Sequence, residues 1–400
     1  MKYMVILCDG MADEPLESLG GRTPLEAART ANMDRLAKRS EIGMVRTVPE
    51  GMSPGSDTAN LSVIGYDPRK YYSGRSPLEA LSIGAEMGPS DVSFRCNLVT
   101  LSEEQDRYED RIILDHSSGE ISTEEASELI EALKAGLERQ GYTFYVGTSY
   151  RHLLIWNGGS TVELTAPHDI LTKRIGDYLP GDLILRDMMK KSYEILKDHP
   201  VNQKRRSEGK NPANSAWFWG AGTRPALTSF QEKNKVKGAM ISAVDLLKGI
   251  AVGAGMHNIV VEGANGGLYT NYEGKAAAAV KALSEDGYDF VYVHIEAPDE
   301  MGHQGSAGDK IRAIESIDEK IIGPVTEALK EKNIDCRMLI LPDHPTPVRV
   351  RTHTSDPVPY MLYDSTAELE GQEVYSEKTG RDTGIYLEDG YRLIDHLLQK

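Results

Sequence analysis

Leu339-Ile340-Leu341-Pro342-Asp343-His344-Pro345-Thr346-Pro347 decides how the rest of the chain is read. An apolar run of strand length stops abruptly at an Asp-His pair bracketed by three prolines. Such a run is a buried strand, and prolines fix the path of the backbone that leaves it. Two metal-competent side chains therefore stand where a buried strand reaches the surface. Asp343 could instead cap the following turn and His344 be a solvated loop residue, but a rigid exit suits preorganised ligands better.

Partners for that pair are scattered along the chain. Asp9 ends the first apolar run, and Ser56 lies in Pro-Gly-Ser-Asp-Thr at the start of a helical pattern. Asp299 and His303 are four apart in Ala-Pro-Asp-Glu-Met-Gly-His, so one helical turn puts both on one face. His353 follows the Asp-His pair. Three Asp, three His and one Ser are enough for two divalent ions and a nucleophile. Asp and imidazole without thiolate suit Mn²⁺, Zn²⁺, Co²⁺ or Mg²⁺. Each residue also has an ordinary reading: Asp9 as a turn former, Ser56 as a cap, Asp299 with His303 as a surface contact, His353 as a polar loop residue. His294, inside an apolar strand, reads as a satisfied core histidine or a partner of a ligand.

The composition narrows the class. At 400 residues and 40% apolar, the chain can bury a sizeable core. A formal charge of -16 excludes general affinity for nucleic acid or anionic membrane. Cys8, Cys96 and Cys336 are odd in number and far apart, which reads as a reduced cytoplasmic thiol set. The apolar run after Met1-Lys2 is too short for a signal peptide and stops at Asp9-Gly10. No run approaches the roughly 18 apolar residues that span a bilayer. A soluble cytoplasmic protein is expected.

The texture of the chain changes twice. Residues 1–86 and 231–400 alternate strand and helix patterns, which implies parallel βαβ units with ligands after the strands' carboxyl ends. Residues 87–230 instead hold alternating runs such as Ser93 to Leu101, His152 to Trp156 and Thr161 to Thr165, with helices at Ala126 to Glu138 and Leu183 to Leu196. That block is read as an inserted α+β cap domain. In the core, Asn258 to Glu262 is expected to be a strand and Lys310 to Lys332 one long helix. Gly263 to Gly267 lacks the spacing of a nucleotide loop, and Lys204-Arg205-Arg206 reads as a short solvated run that a cap loop could lend to phosphate binding.

Asp9-Gly10, Pro54-Gly55-Ser56-Asp57-Thr58-Ala59, Gly74-Arg75-Ser76-Pro77-Leu78-Glu79-Ala80, His294 to Gly305, Pro342-Asp343-His344 and His353 together resemble a known family. It is that of the archaeal-type cofactor-independent phosphoglycerate mutases, within the alkaline phosphatase superfamily. The resemblance covers nearly the whole chain. It implies an α/β fold, alkaline-phosphatase-like, with a mostly parallel sheet flanked by helices and an inserted cap. It further implies two divalent ions, Mn²⁺ first, one held by Asp9, Ser56, Asp343 and His344 and the other by Asp299, His303 and His353. Ser56 would carry the phosphoryl group between neighbouring hydroxyls of phosphoglycerate. Lys237 would stand near the transferring phosphate, and Arg95, Arg151 and Asp115 would meet the substrate.

The departures lie in the cap. Asp115-His116-Ser117-Ser118-Gly119-Glu120 and Phe218-Trp219-Gly220-Ala221-Gly222 stand where the family tends to have arginine-bearing segments. Losing bidentate anion binders changes recognition. Three alternatives to the mutase follow: a kinase-like transfer to homoserine or another small hydroxyl metabolite, as in a bacterial branch of the family, plain phosphomonoester hydrolysis, and a metal-binding protein without catalysis.

Overall fold

The computed structural model describes residues 1–399 and resolves them into two compact units, 1–72 with 226–399, and Ser73–Pro225. Strands follow one another as β1 (Lys2–Cys8), β2 (Ser40–Val45), β3 (Val92–Leu101), β4 (Ile113–Asp115), β5 (Tyr142–Thr148), β6 (Arg151–Trp156) and β7 (Ser215–Thr223). After these come β8 (Gly238–Ile241), β9 (His257–Asn258), β10 (Phe290–Ile295), β11 (Cys336–Leu341), β12 (Val358–Asp364) and β13 (Tyr386–Leu387).

In the first unit the strands form one sheet in the order β13-β2-β12-β11-β1-β10-β8-β9. From β11 across to β9 every pairing is parallel, and β12 runs antiparallel to both its neighbours. Central strands of such a sheet are covered on both faces, which is why they read as continuous apolar runs. Met4 to Cys8, Val291 to Val293 and Met338 to Leu341 are all fully buried. Each buried aliphatic side chain contributes about 1.5–3 kcal/mol. The fold is α/β as expected, and Asp9, the residues after Ile295 and Asp343 leave the sheet at its carboxyl edge.

Two expected elements of this unit differ. Only His257–Asn258 pair as a strand, and the residues up to Glu262 continue as loop. The long helix breaks into Ala307–Ile317, a π turn at Asp318–Ile322, and Gly323–Glu331. Pro324 has no N–H to offer the preceding turn, and Gly323 N–H instead reaches back five residues to the Asp318 carbonyl. The turn earns its place through Asp318, whose carboxylate accepts the N–H groups of Asn32 and Met33.

The second unit is an antiparallel sheet, β4-β3-β6-β5 with β7 on β3, covered by the helices Thr123–Leu137 and Leu183–Leu196. Ser122 caps the first helix by accepting the N–H of Glu125. Thr161 to Thr165 is irregular rather than a strand. This unit begins before residue 87, because the helix Arg75–Ser82 belongs to it: Ser76 Oγ donates to the Ser93 carbonyl at 2.9 Å, and Pro77 lies under Gly222. Cys8, Cys96 and Cys336 are buried and unpaired. Among the described residues no helix is long and apolar enough to cross a membrane.

Candidate metal and phosphoryl-transfer site

Parallel strands deliver the first acids. Asp9 follows β1, its N–H donating to the Ile295 carbonyl at 2.9 Å, and Asp343 follows the neighbouring β11. Gly10 makes their approach possible. Its φ is +62°, and a Cβ there would lie 2.5 Å from Thr346 Oγ1 and 2.7 Å from the Asp299 Cα. Asp343 is fully buried and fixed by donors on both oxygens: Gly10 N–H at 3.1 Å and His344 N–H at 2.9 Å on Oδ1, Asn60 Nδ2 at 2.9 Å on Oδ2. The Thr47 hydroxyl donates to the Asp343 carbonyl.

Ser56 is the first residue of the helix Ser56–Ile64, with Gly55 as its extended N-cap. Its Oγ lies 3.2 Å from His344 Nε2. Ser56 thus stands at the positive end of a nine-residue helix. One turn on, Asn60 donates to the Ser56 carbonyl at 2.8 Å as well as to Asp343, and Tyr292 OH donates to Asn60 Oδ1 at 2.6 Å.

The helix Ala297–Gln304 brings Asp299 and His303 to one face, His303 Nε2 lying 3.2 Å from Asp299 Oδ2. His353 Nε2 reaches Asp299 Oδ1 at 3.3 Å. The histidine tautomers follow from their other nitrogens. His303 Nδ1 donates to the Arg351 carbonyl at 3.1 Å and His353 Nδ1 to the Pro54 carbonyl at 3.4 Å. Thr346 gives its hydrogen to Asp299, so its oxygen accepts from His344 Nδ1 at 3.3 Å. All three rings therefore turn Nε2 inward. His303 and His353 face each other there at 3.0 Å, and His344 and His353 stack with centroids 4.0 Å apart.

Converging lone pairs beside buried carboxylates repel unless a cation sits among them. Asp9 Oδ1 is buried without any hydrogen-bond partner, and it lies 3.7 Å from His344 Nε2. Asp9, Asp343 and His344 can share one ion, and Asp299, His344 and His353 another. The donor set fits two divalent metals. His344 is within reach of both groups, whereas the sequence reading gave it to one. Without a cation, protons take over its task. Burial, with Asp343 and Asp299 nearby, pushes the Asp9 carboxyl well above its ordinary range. Burial is outweighed at Asp299, where hydrogen bonds from His303 and His353 hold the carboxyl well below the usual range, and the hydrogen bond to Asp299 raises His303 to about 9.

Lys237 is not brought to this site. It precedes β8 at the amino edge of the sheet, its Nζ 4.4 Å from the Tyr288 ring and its N–H on Asp289, whereas the ligands leave the carboxyl edge. The resemblance located it by sequence, without the direction of the strand. The lysine that reaches the carboxyl edge is Lys275, fully buried on the helix Tyr272–Ser284 with Nζ donating to the His294 carbonyl at 2.8 Å. Burial lowers its ammonium to about 8 and raises neighbouring Glu296 to about 7. Lys310, also buried, joins three loops by donating to the carbonyls of Ala12 and Thr346 and to Asp13. Inward spacing among alanines marks Lys275; nothing in the sequence marks Lys310.

The substrate residues expected in the second unit fare differently. Asp115 ends β4 and spends its carboxylate on the following turn, accepting from Ser117 N–H, Ser117 Oγ, Gly119 N–H and Asn211 Nδ2. That explains its depressed carboxyl and corrects its assignment: it shapes a loop. Arg95 is buried on β3 with its guanidinium over Trp219, 4.2 Å from the ring centroid. Its Nε lies 2.9 Å from Glu79 Oε2 but off the hydrogen-bonding direction, so that contact is electrostatic. Arg75 and Arg151 repel Arg95, and His168 packs edge-on against Trp219 at 5.2 Å and is in turn met by His116 at 6.0 Å. Within this unit Arg95 thus lies against Trp219 with two further guanidinium groups close enough to repel it.

A family model described as 2,3-bisphosphoglycerate-independent phosphoglycerate mutase matches residues 37–202. A probable 2,3-bisphosphoglycerate-independent phosphoglycerate mutase of Geobacter sulfurreducens is 49% identical over 405 residues, covering all of both chains. The enzyme of that name from Methanosarcina barkeri is 48% identical, again over the whole of both. Among solved structures, a Pyrococcus horikoshii protein superposes with a TM-score of 0.81 at 31% identity, covering 100% of this chain and 96% of the other. The cofactor-independent phosphoglycerate mutase of Thermoplasma acidophilum gives 0.68 at 29% identity, covering 100% and 99%.

Proposed function

The chain belongs to the 2,3-bisphosphoglycerate-independent phosphoglycerate mutase family, and from that premise we propose that it interconverts 3-phosphoglycerate and 2-phosphoglycerate through phospho-Ser56. The observation that carries this reading is the convergence of three imidazole Nε2 atoms and three carboxylates beside the Ser56 hydroxyl.

Asp9, Ser56, Asp343 and His344 would hold one divalent ion and Asp299, His303 and His353 the other, with His344 near both. Two ions there, Mn²⁺ by preference, supply Lewis-acid charge stabilisation to the serine oxygen and the transferring phosphoryl group. Ser56 Oγ attacks phosphorus, its bond to the substrate's C3 oxygen breaks, and that oxygen ends with the serine's proton as glycerate forms. The C2 hydroxyl then attacks phospho-Ser56, the serine P–O bond breaks, and the proton returns to Ser56. The amino end of the helix Ser56–Ile64 favours the dianionic phosphoserine. Gly55 and Asn60 fix the serine's main chain so that its hydroxyl keeps one approach.

Arg95 and Arg151 are the groups we assign to the substrate's carboxylate, with Arg75 adding charge to the same cluster. The homoserine and hydrolase alternatives draw no support from the full-length relatives, whose names are mutases. The test is a coupled assay of Mn²⁺-loaded protein with 3-phosphoglycerate and no nucleotide. Formation of 2-phosphoglycerate that stops with chelator supports the reading; release of free phosphate alone, or no turnover, refutes it.

A further inference from the structure

We infer that His294, oriented by Ser242, is the positioning residue that holds Asp9 as a one-oxygen metal ligand; this rests on the reading of Asp9 as a ligand. Ser242, His294 and Asp9 come from β8, β10 and β1, three neighbouring strands of the sheet, at its carboxyl edge.

The direction of each hydrogen follows from the end of the chain of contacts. Val244 N–H donates to Ser242 Oγ at 3.0 Å, which leaves the Ser242 hydrogen for His294 Nδ1 at 3.1 Å. With Nδ1 accepting, the ring carries its own hydrogen on Nε2, and that hydrogen goes to Asp9 Oδ2 at 2.8 Å. The Lys275 ammonium fixes the same residue from behind by donating to its carbonyl. A histidine that only filled the core would end on a carbonyl. This one ends on a carboxylate whose second oxygen, Oδ1, is buried, has no partner, and lies on the side of His344. Gripping Oδ2 both orients Asp9 and prevents it from turning both oxygens to one ion. Groups that orient a ligand in this way carry a large share of metal affinity, and losing one weakens binding by about 10- to 100-fold.

The test is a Mn²⁺ titration of metal-depleted full-length protein, read by calorimetry and by the spin-resonance signal of free Mn²⁺, on wild type and four variants. Wild type binds two ions. In His294→Leu the ion held by Asp9 and Asp343 binds about 10- to 100-fold more weakly while the ion held by Asp299 and His353 is unchanged. His294→Gln, whose amide N–H can replace the Nε2 donor, recovers most of the affinity. Ser242→Ala gives a smaller loss, since the ring remains but its tautomer is no longer imposed, and this mild variant stands if His294→Leu does not fold. Wild-type affinity for both ions in His294→Leu and Ser242→Ala overturns the inference, as does a Gln variant no better than Leu. Wild type that binds fewer than two ions, or an Asp9→Asn variant that binds both normally, overturns the ligand reading itself.

Discussion

His303 and His353 meet Nε2 to Nε2 at 3.0 Å, each having turned its Nδ1 to a main-chain carbonyl. Two ring nitrogens so placed, with Asp299 between them, suit a shared cation. Metal binding should therefore stabilise the folded chain as well as activate it. Mn²⁺ at a hundred times its Kd should add about 2.7 kcal/mol per site. Melting curves in chelator and in saturating Mn²⁺ check this, and coincident curves would contradict it.

Gly10→Ala should uncouple the two halves of the site. A Cβ in this left-handed position would press on Thr346 Oγ1 and on the Asp299 main chain. The strain costs about 1–3 kcal/mol, and displacing Asp299 should weaken the second ion more than the first. Denaturant unfolding together with Mn²⁺ titration reads both effects. A variant with normal stability and two normal sites would show that the loop yields freely.

Arg151→Ala should raise KM for 3-phosphoglycerate by about tenfold or more while leaving kcat nearly unchanged, as expected when binding is lost equally from ground and transition states. Arg151 is exposed at the start of β6, so its removal should move stability by no more than about 0.5 kcal/mol. Steady-state kinetics and a melt suffice. An unchanged KM would remove Arg151 from substrate recognition.

Stability should also carry a signature of Glu377. It is fully buried, accepting from Thr23 Oγ1 at 2.7 Å and Asp13 N–H at 3.1 Å, and burial pushes its carboxyl from 4.5 up to about 7. The folded chain keeps this proton where the unfolded chain has lost it. Its contribution is therefore full below about 4.5 and lost as pH rises to about 7. Glu377→Gln cannot ionise, so its melting temperature should gain on wild type as pH rises from 5 to 8. Parallel curves would exclude Glu377 as the source.

Asp343-His344, Asp9, Ser56 and the Asp299/His303 pair were legible in the sequence because each signal is local: a strand ending, a helix start, a four-residue spacing. The inserted antiparallel unit was legible for the same reason, through its alternating runs. What could not be read depends on register across the sheet. That His344 lies within reach of both groups of acids, and that His294 grips Asp9, follow from β1 standing between β10 and β11. Lys237 lies at the amino edge because of its strand's direction, which no local signal carries, and at Asp115 a turn-forming carboxylate looks like a ligand-binding one in sequence. The break at Gly323-Pro324 was hidden by the apolar period of the helix, which a π turn shifts by only one residue.

The central claim is that the phosphoryl group rests on Ser56. Mn²⁺-loaded protein mixed with phosphate-labelled 3-phosphoglycerate and quenched in acid within a turnover tests it directly. Peptide mapping should find the label on the Ser56 peptide, and Ser56→Ala should lose the label and more than about a thousandfold in turnover while keeping its fold. Conversion to 2-phosphoglycerate with no labelled protein, or near-normal turnover by Ser56→Ala, would contradict it.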